Sequence, residues 1–125
     1  MEIKSAVVLF GHGARDPEWA RPMQRARGLL LESEPGLAVE LAFLEFMQPT
    51  LAEAIDRLVA DGVGRVTVVP VFLAQGGHLK KDVPVLVEEA RVRHPQCEIR
   101  QVLAVGEADT VVAAIAGYAA QCGRG

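Results

Sequence analysis

Hydrophobic positions along this chain follow two alternating periods. Four short runs rich in Val, Leu, Ile and Ala, at residues 7–10, 37–44, 65–73 and 98–103, are bounded by glycine, proline or polar clusters. Such runs predict strands, and the first, apolar throughout, predicts a strand covered on both faces. Between them the spacing becomes that of an amphipathic helix. Trp19, Met23, Ala26 and Leu30 share one face after the capping signal Asp16-Pro17. Pro22 conflicts with that helix, and either kinks its first turn or restarts it one turn later. Leu51, Ala54, Ile55, Leu58 and Val59 form the clearest stripe, opened by Gln48-Pro49, with Glu53, Asp56 and Arg57 on the opposite side. Val83, Leu86 and Ala90 mark a third helix from Leu79, its early turns limited by Pro84 and its end set by His94-Pro95. A last helix is predicted over residues 107–120, where Glu107 and Asp109 favour its N-terminus.

The resulting order, βαβαβαβα with short connections, predicts right-handed crossovers and an α/β fold. We expect a flavodoxin-like three-layer domain over residues 1–125, a four-stranded parallel sheet in the order 2-1-3-4 with helices on both faces. Strands one and three then lie side by side where strand order reverses, and ligands of such sheets bind at the strands' carboxyl ends. Both strands deliver a histidine to that edge. Gly11-His12-Gly13 follows the first and Gly76-Gly77-His78 follows the third, while Glu45 stands at the end of the second.

Composition narrows the picture further. With 125 residues, 50% of them hydrophobic, the chain can bury a core without disulfides or structural metal. A net charge of −3 argues against a general nucleic-acid binder. The two cysteines, Cys97 and Cys122, have no metal or redox spacing, as expected of a reduced cytoplasmic protein. No apolar stretch approaches the roughly 20 residues of a membrane span, and the first run is too short for a signal peptide.

Two imidazoles and a carboxylate on neighbouring strand ends suit a borderline divalent metal such as cobalt, nickel, iron or zinc, with coordination positions left open. Each residue alone has a plainer explanation as a solvated loop group. His94, beside Pro95, reads as a histidine meeting the unpaired carbonyls of a helix C-terminus. Arg15, Arg21, Arg25, Lys80 and Lys81 surround the same edge; for a polyanionic ligand Arg15 and Lys80 are the expected contacts. Hydrolase, Walker-loop and dinucleotide readings fail on residues. Neither Ser5 nor Ser33 lies in a nucleophile elbow, no glycine-rich turn ends in Lys-Ser or Lys-Thr, and Asp16 stands where a third glycine belongs.

The chain resembles the short-form sirohydrochlorin chelatases, the CbiX-type class II chelatase family. The resemblance rests on Gly11-His12-Gly13-Ala14-Arg15-Asp16-Pro17, on Phe43-Leu44-Glu45 with Pro49 and Leu51, and on Pro70-Val71-Phe72-Leu73 leading to Gly76-Gly77-His78 with Asp82-Val83-Pro84. It implies insertion of a divalent metal, cobalt or else iron or nickel, into sirohydrochlorin, releasing two protons and using neither ATP nor an organic cofactor. It also implies a homodimer working in cobalamin or siroheme synthesis. His12 and His78 match the metal-binding, catalytic histidines and Glu45 their acidic partner; Arg15 and Lys80 are placed to hold the substrate's carboxylate arms. Two other readings stay open: a non-catalytic carrier of metal or tetrapyrrole, and a flavodoxin-like module binding a phosphorylated ligand.

Overall fold

A computed structural model describes residues 2–125. Its elements are β1 (Ser5–Gly11), α1 (Arg21–Ser33), β2 (Ala38–Phe43), α2 (Leu51–Ala60), β3 (Arg65–Pro70), α3 (Gly77–Arg93), β4 (Glu98–Gln101) and α4 (Asp109–Arg124). Short 3-10 turns at Pro17–Ala20 and Val105–Glu107 precede α1 and α4. The strands form one parallel sheet in the order β2-β1-β3-β4, as the sequence predicts. Phe10 pairs with Pro70 and Gly11 with Phe43, so the carboxyl ends of the three site-bearing strands are level.

Alternation along the strands divides the protein into two unequal layers. Ala6, Val8 and Phe10 of β1, Val66 and Val68 of β3 and Ile99 of β4 face α2 and α3, and are almost completely buried with Ile55, Val83 and Val87. Burying each larger side chain of this set contributes about 1.5–3 kcal/mol. Phe10 meets Phe72 edge to face at 6.1 Å, tying the end of β1 to the loop after β3. On the other face a smaller cluster of Ala20, Met23 and Phe43, joined by Leu9, Leu41 and Val71, lies under α1. Helix α4 buries no side chain.

Several boundaries differ from the sequence expectation, each for a local reason. Pro22 restarts the helix. Asp16 caps the 3-10 turn by accepting from the Glu18 N–H at 3.0 Å, and α1 then begins with Pro22 in its first turn, where no N–H is required. Helix α2 is opened by Thr50, not by Gln48-Pro49. The Thr50 hydroxyl accepts from the Glu53 N–H and the Glu53 carboxylate accepts from the Thr50 N–H, a reciprocal capping box. Helix α3 starts at Gly77, ahead of Leu79, and runs through Pro84, whose ring and the Lys80 carbonyl it leaves free are both on the exposed side. Strand β3 ends at Pro70 because Phe72 turns inward to the core, and residues 105–107 form a turn in place of the expected helix start. No helix among the described residues is long and apolar enough to cross a membrane.

Candidate metal and tetrapyrrole site

The loops leaving β1 and β2 are joined by their backbones. Leu44 donates its N–H to the Gly11 carbonyl and Glu45 donates to the His12 carbonyl, each at 3.0 Å. Gly13, at φ +88°, allows this approach. A Cβ on it would overlap the Glu45 carbonyl oxygen. Gly11 is packed less rigidly: a Cβ there would lie 2.6 Å from the sulfur of Met23, a flexible side chain that can move aside. Gly13 is therefore a steric requirement of the loop that carries His12.

His12 is exposed at the carboxyl end of β1, with its Nδ1 3.3 Å from the Gly13 carbonyl. A carbonyl only accepts, so Nδ1 is the nitrogen that carries hydrogen in this contact. In the tautomer that this contact selects, Nε2 carries the lone pair, the form of imidazole that can bind a metal. Glu45 is exposed next to it in sequence-distant pairing. His78 lies in the first turn of α3, also exposed, beyond the end of the neighbouring strand β3. Among the described residues no three His, Cys, Asp or Glu side chains converge on one point; the backbone brings His12 and Glu45 together, and His78 stands across the same edge.

Arg15 and Lys80 flank the edge from opposite sides. The Arg15 guanidinium stacks over the Phe46 ring, 4.6 Å from its centroid, a contact that holds the cation in place while leaving its edge free for an anion. Lys80 is exposed one turn into α3, its N–H bonded to the Gly76 carbonyl. A cleft of about 350 Å³ lies beside this edge, lined by Ala14, Arg15, Phe43, Phe46, Met47 and Gln48 among others. A second surface groove, about 520 Å³, lies away from the strand ends, against Val85 and Val92 on the outer side of α3.

Two residues at this edge were not singled out from sequence. Phe46 is 58% exposed and adopts a positive φ of 65°. Its signal was an isolated aromatic following Glu45 in an aromatic-poor chain, but the backbone strain that presents it is invisible in sequence. Gln75, three residues before His78, has a buried Nε2 without a hydrogen-bond partner. His94 proves to be structural, though not through helix carbonyls as expected. Its Nε2 lies 2.6 Å from Asp56 Oδ1, with Arg93 at 3.1 Å from the same oxygen, so the end of α3 is fastened to α2. The His94 hydrogen bond chiefly, with help from Arg93 and against a desolvation cost, holds the Asp56 carboxyl below its ordinary value. Burial, reinforced by the charge of Glu98, pushes the Cys97 thiol up, which keeps it protonated and inert.

Known proteins are similar to this chain in sequence and fold. A sirohydrochlorin cobaltochelatase of Methanopyrus kandleri is 40% identical over 79 residues, which are 63% of this chain and 55% of that protein. The chain thus spans about half the length of this relative. The crystal structure of a CbiX protein from Marinobacter aquaeolei superposes with a TM-score of 0.81 at 31% identity, covering 94% of this chain and 95% of the other. SirB, the sirohydrochlorin chelatase of Bacillus subtilis subspecies spizizenii, solved in complex with cobalt, gives 0.73 at 28% identity and covers 92% of this chain but 49% of SirB. The family profile of CbiX itself matches residues 6–121, a span that takes in the sheet from the second residue of β1 onward and the loops bearing His12, Glu45 and His78, and the chain belongs to the CbiX family.

Proposed function

We propose that residues 1–125 act as a class II chelatase domain that inserts a divalent metal, cobalt first, into sirohydrochlorin. Two pyrrole protons are released, and neither ATP nor an organic cofactor takes part. The observation that carries this reading is the presentation of His12 at the sheet edge. Its Nε2 is unengaged, and its loop is joined by hydrogen bond to that of Glu45. Membership of CbiX, and the names of the M. kandleri and B. subtilis relatives, supply the reaction class. Iron is a second candidate metal, because SirB has also been solved with Fe3+, and nickel fits the same nitrogen and oxygen donors.

In this mechanism His12, His78 and Glu45 hold the incoming metal, and His12 accepts a pyrrole proton. An imidazole suits both tasks, because a neutral ring nitrogen can ligate a metal or accept a proton. Two nitrogens and one carboxylate form an incomplete set, which lets the macrocycle displace them one at a time. Arg15, fixed over Phe46, and Lys80 hold carboxylate arms of the substrate, and the unmet amide of Gln75 offers a further donor beside His78. The active form is a homodimer, as the resemblance to the short-form chelatases implies. The reaction belongs to cobalamin or siroheme synthesis in the cytoplasm, where Cys97 and Cys122 remain free thiols.

The test is metal insertion followed by absorbance under anaerobic conditions, with and without the protein. Faster insertion with protein supports the chelatase. Equal rates, together with tight binding of metal or tetrapyrrole, would replace it with a carrier.

A further inference from the structure

Phe46 occupies a backbone conformation that its side chain makes costly. Its φ is +65°, and the Met47 N–H closes a three-residue turn on the Glu45 carbonyl at 2.8 Å, a γ-turn of the rare, strained kind. Glycine or asparagine takes such a φ with less strain. Burial does not offset the cost, because the ring is 58% exposed. Strain kept at an exposed aromatic points to a task for the side chain itself.

The contacts of the ring show what that task is. The Arg15 guanidinium lies over it, 4.6 Å from the centroid, and both residues line the cleft of about 350 Å³ beside the strand edge. Gln24 of α1 and Gln48 of the loop before α2 line the same cleft, and both are exposed. A held cation and two primary amides, each with N–H groups to donate, make a donor set for a carboxylate. The space continues into a second cleft of about 330 Å³ that shares Gln24, Phe43 and Gln48. There Glu40 joins the lining, and Arg27 has its Nε–H committed to the Val39 carbonyl at 2.8 Å. A negative group is therefore favoured at the Arg15 end.

The same turn serves the metal edge. Glu45 donates to the His12 carbonyl and accepts from the Met47 N–H, so one fixed piece of backbone carries Glu45 at the edge and Phe46 at the cleft. A group seated in the cleft is thereby held at a set offset from the metal ligands.

We propose that Arg15, Gln24 and Gln48 form a subsite for one carboxylate arm of the tetrapyrrole, and that Phe46 is its positioning residue, acting through Arg15. Ligand pockets run from roughly 300 to 1,000 Å³, and this cleft lies at the small end. It takes an arm and the ring edge that bears it, and leaves the centre of the macrocycle outside, toward His12 and Glu45. This inference rests on the chelatase reading above and specifies where that substrate is gripped.

The experiment is an anaerobic equilibrium titration of metal-free sirohydrochlorin, followed by its absorbance, with urea unfolding of each variant alongside. The wild type is expected to bind. Arg15→Ala raises Kd about tenfold, the scale of one exposed charge-assisted hydrogen bond, and Gln24→Ala and Gln48→Ala raise it about threefold each. Phe46→Asn raises it roughly two- to fivefold, while unfolding at no lower urea than wild type because asparagine relieves the strain. Phe46→Tyr keeps the ring and binds within about twofold of wild type. In the Arg15→Ala background Phe46→Asn has no further effect, as a residue acting through Arg15 requires. A wild type that does not bind overturns the subsite together with the chelatase reading. Wild-type binding with an unchanged Kd in both glutamine variants overturns the subsite alone. Losses from Phe46→Asn and Arg15→Ala that multiply, or a lowered urea midpoint in Phe46→Asn, overturn the positioning role.

Discussion

Replacing Gly13 by alanine tests whether the geometry beside His12 is a requirement of the site. At φ +88° a residue with a Cβ bears a conformational cost of roughly 1–2 kcal/mol. The new methyl would also overlap the Glu45 carbonyl oxygen, which belongs to the backbone and cannot rotate aside. Relief requires the two loops to part, and that breaks the 3.0 Å bond from Glu45 to the His12 carbonyl, worth about 1 kcal/mol. The expected loss is about 2–3 kcal/mol, read as a lower urea midpoint with unchanged slope. A displacement of about 1 Å in a catalytic group lowers rates by roughly 10²-fold, so metal insertion should fall on that scale while the sheet stays folded. Gly28→Ala in α1 is the control, because its methyl meets nothing within 4 Å and should stabilise by about 0.5–1 kcal/mol. A Gly13→Ala protein within about 0.5 kcal/mol of wild type, inserting metal at the wild-type rate, would refute the steric reasoning.

Thr50→Ala removes the hydroxyl half of the α2 capping box and should cost about 1 kcal/mol in urea unfolding, with activity intact in the folded protein. Asp56→Asn tests the clamp to His94. Because the folded carboxyl is held below its ordinary value, the stabilisation is fully present above the unfolded pKa of about 3.9 and is lost as pH falls through the lower folded value. Asp56 is half exposed, so the wild type should lead Asp56→Asn by no more than about 1 kcal/mol at pH 7, a gap that closes in acid. Phe46→Ala frees the Arg15 guanidinium from its aromatic support. Its expected effect is a raised KM for sirohydrochlorin with kcat little changed, measured by steady-state insertion.

Strand order and the edge that gathers the candidate residues were legible because they depend on patterns longer than any one contact. Four apolar runs and the crossover rule sufficed to place β1 beside β3, and so His12 and His78 on one edge. The capping box at Thr50 was equally readable from Thr50 and Glu53, but the nearby Pro49 offered a competing helix start. Pro84 was misread because proline's cost depends on whether the carbonyl it orphans can reach water, a tertiary fact. His94 was correctly taken as structural, yet its partner Asp56 lies 38 residues away on another helix, beyond any local pattern. Least legible was α4. Its apolar residues 111–120 are exposed, because the packing of Gly106 on Leu73 directs the helix away from its own sheet, a tertiary fact no local pattern carries.

The most direct measurement is the rate of cobalt insertion into sirohydrochlorin, followed anaerobically by absorbance for wild type, His12→Ala, His78→Ala and a protein-free control. If the two histidines hold the metal and His12 takes the proton, wild type exceeds the control, and each variant, folded by circular dichroism, falls to or near the control rate. Folded variants that retain the full wild-type rate would contradict the assignment of both histidines.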